Sequence, residues 1–208
     1  PTLRVDIARP EDLMEEVARL SGYNNIPTSF PAIPAEARAP AHRLEFRNRL
    51  KRLMNGFGFT ETITYSFDSE FSRERLRLKK EDPRQGLLHI LNPLTEDQAV
   101  MRTSLIPGML GSLGYNIAQQ LKNLKIFEIG KIFIKSDHQN LPREPEMLTA
   151  LWSGARNDAS WHQRETPCDF YDIKGCVEGL IRELKIDKVR FTKMPAESCD
   201  YTRPGYTA

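Results

Sequence analysis

Four prolines spaced through "NIPTSFPAIPAEARAPAH", at Pro27, Pro31, Pro34 and Pro40, constrain this chain more than any other feature. Each ring fixes φ and removes an amide donor, so the stretch cannot be helix. It favours extended, semi-rigid chain. We therefore expect a boundary here: residues 1–30 close a small helical domain, 31–41 form a linker, and 42–208 form a larger core domain.

Before the linker, "PEDLMEEVARLS" spans residues 10–21. Pro10 suits a first helical position and Gly22 the position after the end. Leu13, Val17 and Leu20 share a face, with Met14 and Ala18 beside it and acids opposite. After the linker, residues 42–56 carry Leu50, Leu53 and Met54 at helical spacing, ahead of Phe57. Arg43, Arg47, Arg49, Lys51 and Arg52 crowd the remaining surface. Such a basic face is either a solvated surface or a contact for RNA.

"TETITYSF" alternates strictly. That predicts a half-buried strand, with Ile63, Tyr65 and Phe67 on one side and Thr62, Thr64 and Ser66 on the other. A short helix is expected near 69–77, a strand at 87–92 and a helix at about 107–121. Gly108, Gly111 and Gly114 in that helix make sense if another backbone packs against them. "LKIFEIGKIFIKSD" reads as strand, turn at Glu-Ile-Gly, and strand, over 124–135. A strand at 148–155, a helix at 172–184 and a strand at 188–193 complete the pattern. Recurring hairpins argue for an α+β fold with a mainly antiparallel sheet.

Composition narrows the function. A net charge of +2 and a pI near 8.6 permit RNA nearby without arguing for it. Cys168, Cys176 and Cys199 form no CxxC pair, which fits neither a zinc site nor a disulfide framework, and points to reduced thiols in the cytoplasm. No apolar run approaches the roughly 20 residues of a membrane span, and no signal peptide is visible. Beginning at Pro1 without methionine, the chain reads as a piece of something longer.

Asp6, Asp12, Glu15 and Glu16 fall within eleven residues. Asp12, Glu15 and Glu16 stand at i, i+3 and i+4, on one helix face. Hard oxygen ligands of this kind favour Mg²⁺ or Ca²⁺. Acids in a first turn also complement the helix dipole, so a solvated acidic face is the alternative. His42, His89, His138 and His162 are scattered without ligand spacing. Arg102 either meets an anion or pairs inside the fold. Trp161, in "DASWHQ", reads as a loop anchor.

Several segments carry a family likeness. "RVDIARPEDLMEEVARLSGYNNIP" resembles the end of the small helical domain of the bacterial phenylalanyl-tRNA synthetase beta subunit. "GFTETITYSF", "LNPLTEDQAVMRTSLIPGML", "FEIGKIF" and "CDFYDIKGCVEGLI" resemble, in order, segments of its synthetase-like module. The resemblance implies a class II aminoacyl-tRNA synthetase-like antiparallel sheet flanked by helices, preceded by a short helical segment. It implies a non-catalytic role beside the alpha subunit in an alpha2-beta2 complex that attaches phenylalanine to tRNA(Phe). ATP would be used by that complex and not bound by this fragment. It also implies that Asp6, Asp12, Glu15 and Glu16 serve as Mg²⁺ ligands, in a site shared with the alpha subunit.

Catalytic members of the class hold the ATP α-phosphate with an arginine in a Phe-Arg-x-Glu pattern, where a guanidinium fork binds two oxygens. Aligned on "FEIGKIF", this chain has Ile134 at the arginine position and Ser136 at the glutamate position. Lys135 lies one residue away, on the opposite face of an alternating strand. No catalytic or nucleotide-binding residue is therefore expected. A stand-alone class II-like ligase paralogue and an RNA-binding module acting without a partner are the two rival readings.

Overall fold

The computed structural model describes residues 4–30, 41–76, 78–79, 81–136 and 141–192. The chain divides into two compact units, Pro1–Pro40 and Ala41–Ala208. Most of the expected linker, 31–40, lies outside the described residues.

In the first unit, helix α1 spans Pro10–Ser21, with Pro10 at its start. Asp12 accepts from the Arg9 and Ala8 amides at 2.7 and 2.8 Å, satisfying donors that the helix start leaves open. Gly22 stops the helix at φ +90°, a conformation that disfavours any side chain. Leu13, Met14, Val17 and Leu20 share a face as expected, and all are exposed.

In the second unit, helix α2 spans His42–Gly56. Strands β1 (Thr60–Glu61) and β2 (Phe67–Asp68) follow, then helix α3 (Ser72–Arg75), β3 (Leu88–His89) and β4 (Val100–Met101). Helix α4 spans Ile106–Ala118, β5 Leu124–Lys131, β6 Glu146–Ser153, β7 Ala155–Asn157, β8 Thr166–Pro167 and helix α5 Phe170–Glu183. The architecture is α+β with small sheets. β5 is the centre of the main sheet, ordered β1-β5-β6. β5 and β6 are antiparallel from Leu124↔Ser153 to Lys131↔Glu146, whereas β1 runs parallel to β5. β2-β4-β3 forms a second, antiparallel sheet, and β7 pairs with β8.

Side chains alternate along β5, and the two faces differ in kind. Phe127 and Ile129 face a core built with Met54 and Phe59, and with Leu50, Phe57, Ile173 and Leu180 from or beside α2 and α5. Phe59 meets Trp152 edge to face, at 5.9 Å between centroids. Asp169 caps α5 by accepting from the Tyr171 amide at 2.8 Å, and Asp172 returns a bond to the Asp169 amide at 2.8 Å.

The structure corrects several expectations. The Glu-Ile-Gly segment is no turn: β5 runs straight through it, and its hairpin partner is β6. The alternation over 60–67 is real, but only Thr60–Glu61 and Phe67–Asp68 are ladder strands. Thr62, Thr64 and Ser66 point inward, while Ile63 and Tyr65 are 88% and 75% exposed. The expected helix near 69–77 shrinks to one turn and the strand at 87–92 to two residues. The described part of 188–193 is not strand.

Gly108 has a close neighbour, although it is a side chain and not a backbone. A Cβ there would lie 2.7 Å from Thr64 Oγ1, whereas at Gly111 and Gly114 it would meet nothing within 4 Å. Gly111→Ala should therefore stabilise the fold by about 1 kcal/mol through helix propensity. Gly108→Ala should destabilise it, and denaturant unfolding of the two variants checks the opposite signs.

Candidate functional site

The second face of β5 carries Ile126, Glu128 and Gly130. A glutamate in mid-strand with both neighbours buried needs a partner, because an unpaired buried charge is costly. That partner is Arg102, just after β4. Its Nη1 lies 2.7 Å from Glu128 Oε1, with the side chains 7% and 2% exposed. Arg102 Nη1 also reaches Thr64 Oγ1 at 3.0 Å, and Thr64 Oγ1 donates to Glu128 Oε2 at 2.7 Å. Arg102 Nε donates to the Lys131 carbonyl at 2.9 Å. The three side chains form a closed ring of hydrogen bonds that joins β5, the segment after β1 and the end of β4.

Sequence explains why the ring fits. A Cβ on Gly130 would overlap Arg102 Nη2, so only glycine leaves room for the guanidinium. Gly108 does the same for Thr64. Arg102 thus pairs inside the fold, one of the two roles the sequence allowed. Glu128 and Thr64 escaped the sequence reading. For Glu128 the signal was a lone acid between apolar residues in "KIFEIG"; Thr64 carried none beyond its place in the alternating stretch.

Two of the three Arg102 guanidinium nitrogens, Nε and Nη1, are spent on protein acceptors. Beside it lies an open cleft of about 400 Å³, lined by Ile63, Thr64, Tyr65, Phe67, Arg102 and Ser104 among others. Ile134, at the expected arginine position, exchanges backbone hydrogen bonds with Arg143 at 2.9 and 3.0 Å. Lys135 runs alongside Gly86.

Four of the five basic residues on α2 have partners within the unit. Arg43 and Arg47 pair with Glu146 at 3.4 and 3.3 Å, and Lys51 pairs with Glu61 at 2.7 Å. Arg49 donates to the Glu183 carbonyl. Arg52 is exposed. Trp161 is no anchor: it is 97% exposed, against the His162 ring. His89 meets Glu70 at 3.2 Å and His162 meets Ser160 at 3.0 Å. His138 and Cys199 lie outside the described residues. Cys168 and Cys176 are free thiols, each pushed up in pKa chiefly by burial.

In the first unit, Arg4 folds back among the acids. Its Nη2 lies 2.7 Å from Asp6 Oδ2 and 2.9 Å from Glu16 Oε1. Arg19 takes the other Glu16 oxygen at 2.6 Å. Hydrogen bonds from Arg4 hold the Asp6 carboxyl below the usual range, and those from Arg19, then Arg4, do the same for Glu16. Asp12 Oδ2 is engaged by the two amides at the start of α1. Among the described residues no three ligating side chains stand together as a metal cage. The donor set is still all oxygen, as Mg²⁺ requires. Asp6 and Glu16 already converge on one point, and a guanidinium nitrogen occupies it.

Among the described residues no helix is long and apolar enough to cross a membrane. Residues 26–208 match the family model described as the phenylalanyl tRNA synthetase beta chain CLM domain, and residues 1–23 match the tRNA synthetase B5 domain. Similar proteins include the phenylalanine–tRNA ligase beta subunits of Syntrophus aciditrophicus (44% identity, 92% of this chain, 24% of the relative) and Geobacter metallireducens (40%, 93% and 24%). The chain therefore spans about a quarter of the length of the curated relatives it matches. In fold it is similar to a pyrrolysyl-tRNA synthetase from Desulfitobacterium hafniense, with a TM-score of 0.56 at 14% identity over 90% of this chain and 59% of that one. At that identity the likeness concerns fold alone.

Replacing Arg102 alone with Met strands the Glu128 carboxylate and should cost about 3–5 kcal/mol. Arg102→Met combined with Glu128→Leu should recover at least about 1 kcal/mol of that loss, because no buried charge then remains. Strict additivity in a double-mutant cycle would contradict the pairing.

Proposed function

This chain belongs to the phenylalanyl-tRNA synthetase beta-chain family, and from that premise we propose that its second unit is a non-catalytic scaffold. It is a class II synthetase-like module, a sheet flanked by helices, that pairs with the catalytic alpha subunit in a cytoplasmic alpha2-beta2 complex. The alpha subunit attaches phenylalanine to tRNA(Phe), and ATP is consumed there. The B5-like first unit precedes this module in the chain.

The observation that carries this reading is the filled face of β5. Stabilising a phosphate in transfer requires donors aimed at developing charge. Here the charged donor on that face is committed to Glu128 and to main-chain carbonyls. An aliphatic side chain, Ile134, stands where the resemblance puts the phosphate-holding arginine. What the module offers instead is exposed apolar surface at Ile63, Tyr65 and Phe67, joined by Leu44 and Phe46 on α2. Aromatic and aliphatic side chains of this kind anchor interfaces. We assign the partner contact to this strip and to α2.

We further propose that Asp6, Asp12, Glu15 and Glu16 hold Mg²⁺ together with the alpha subunit, which supplies ligands that the acids here lack. Bound there, the cation neutralises clustered carboxylates and ties the two subunits together. Arg4 plays the neutralising part within this chain and must swing away to admit the metal.

Two measurements test these assignments. Tyr65→Asp in the full-length beta subunit should weaken co-purification with the alpha subunit by at least about tenfold, since a charge cannot enter an apolar contact cheaply; undiminished assembly would refute the contact. Arg4→Gln should tighten Mn²⁺ binding in a titration of the assembled complex, by roughly tenfold for one competing cation removed. Unchanged or weaker Mn²⁺ affinity would remove Arg4 from the site.

A further inference from the structure

Ile63 and Tyr65 of the exposed strip sit on a segment that no β-ladder holds, and Phe67 opens the next strand. β1 ends at Glu61 and β2 begins at Phe67. Between them, the Thr62 amide donates to the Phe127 carbonyl at 2.7 Å. The next tethers come from Arg102 and from Glu128, whose Oε2 accepts from Thr64 Oγ1 at 2.7 Å. The Arg102 amide donates to the Ser66 carbonyl at 2.9 Å. Arg102 Nη1 donates to the Thr64 and Tyr65 carbonyls, both at 3.3 Å. Its hydrogen bond to Thr64 Oγ1 fixes the inward side chain. Three successive carbonyls therefore accept from Arg102, and the Thr64 hydroxyl is shared between Arg102 and Glu128.

We propose that Arg102 is the positioning residue for the partner-facing strip at Ile63, Tyr65 and Phe67. Its side chain is buried, and it acts on the strip from within the fold. Because side chains alternate in extended chain, drawing Thr64 inward drives Ile63 and Tyr65 outward. Glu128 completes the device by holding the guanidinium on the sheet, so that it cannot turn to water. The inward polar residues are thus the cause of the outward apolar ones, and an ordered strip binds without losing chain entropy at the moment of docking. The partner it fits is a protein surface with apolar recesses for an aliphatic, a phenol and a phenyl group at every second residue. This rests on the assignment of the strip to the alpha-subunit contact.

The test uses the full-length beta subunit and its alpha partner. Thr64→Val keeps the shape, and with it the fit against Gly108, but removes the hydroxyl that Arg102 and Glu128 share. Arg102→Lys keeps the charge and loses the fork. Both variants should speed hydrogen exchange of amides 63–67 in the free subunit and weaken assembly by about tenfold. Exchange in β5 and β6 after Thr64→Val should stay as in the parent, which separates misplacement of the strip from loss of the fold. Tyr65→Ser is the control for the contact itself. Weakened assembly with Tyr65→Ser but unchanged assembly with Thr64→Val would overturn this inference alone. Unchanged assembly with Tyr65→Ser would overturn the docking assignment and this inference with it.

Discussion

A buried guanidinium–carboxylate pair, Arg102 with Glu128, governs how the larger unit is put together. Burying two charges is expensive, and their attraction offsets that cost only when the remaining donors and acceptors are also met. Here Thr64 and the carbonyls of Thr64, Tyr65 and Lys131 meet those of Glu128 Oε2 and of Arg102 Nε and Nη1. The pair does not add stability so much as select one arrangement. With it formed, β5, β4 and the segment after β1 have a single relative placement, and the two glycines at 108 and 130 are the residues that leave space for it.

The same pair explains what the module can and cannot do. A sheet face in a class II-like frame is a suitable place for nucleotide chemistry when its charged groups are left free to meet a substrate. On this sheet the face is satisfied from within. The apolar groups that a strand would ordinarily bury are turned outward, where they suit a partner. Under the proposed function, one packing arrangement accounts both for the filled sheet face and for the apolar groups offered to a partner.

Much of this was legible in the residues. α1 and α2 begin and end where proline, glycine and the apolar period place them, and α5 differs by two residues at its start and one at its end. Period-two alternation at 60–67 marked two faces correctly, but it cannot say which face is inward. The need to pair Glu128 and Arg102 turns Thr64 inward. Gly130 read as a turn because glycine usually marks one. In the structure it marks a close approach, for which local sequence carries no separate sign. Arg4 was missed among the acids because its bond to Glu16 joins residues twelve apart, brought together only when the chain folds back onto α1.

The central claim is that the Arg102 guanidinium belongs to Glu128 and not to a nucleotide. NMR observation of the Arg102 Nε–H group during titration with Mg-ATP tests it most directly. The account predicts a slowly exchanging signal, shifted far from solvent-exposed arginines, that stays in place to millimolar ATP. A signal that moves saturably with ATP, and with it a loss of the coupling to Glu128, would contradict the account.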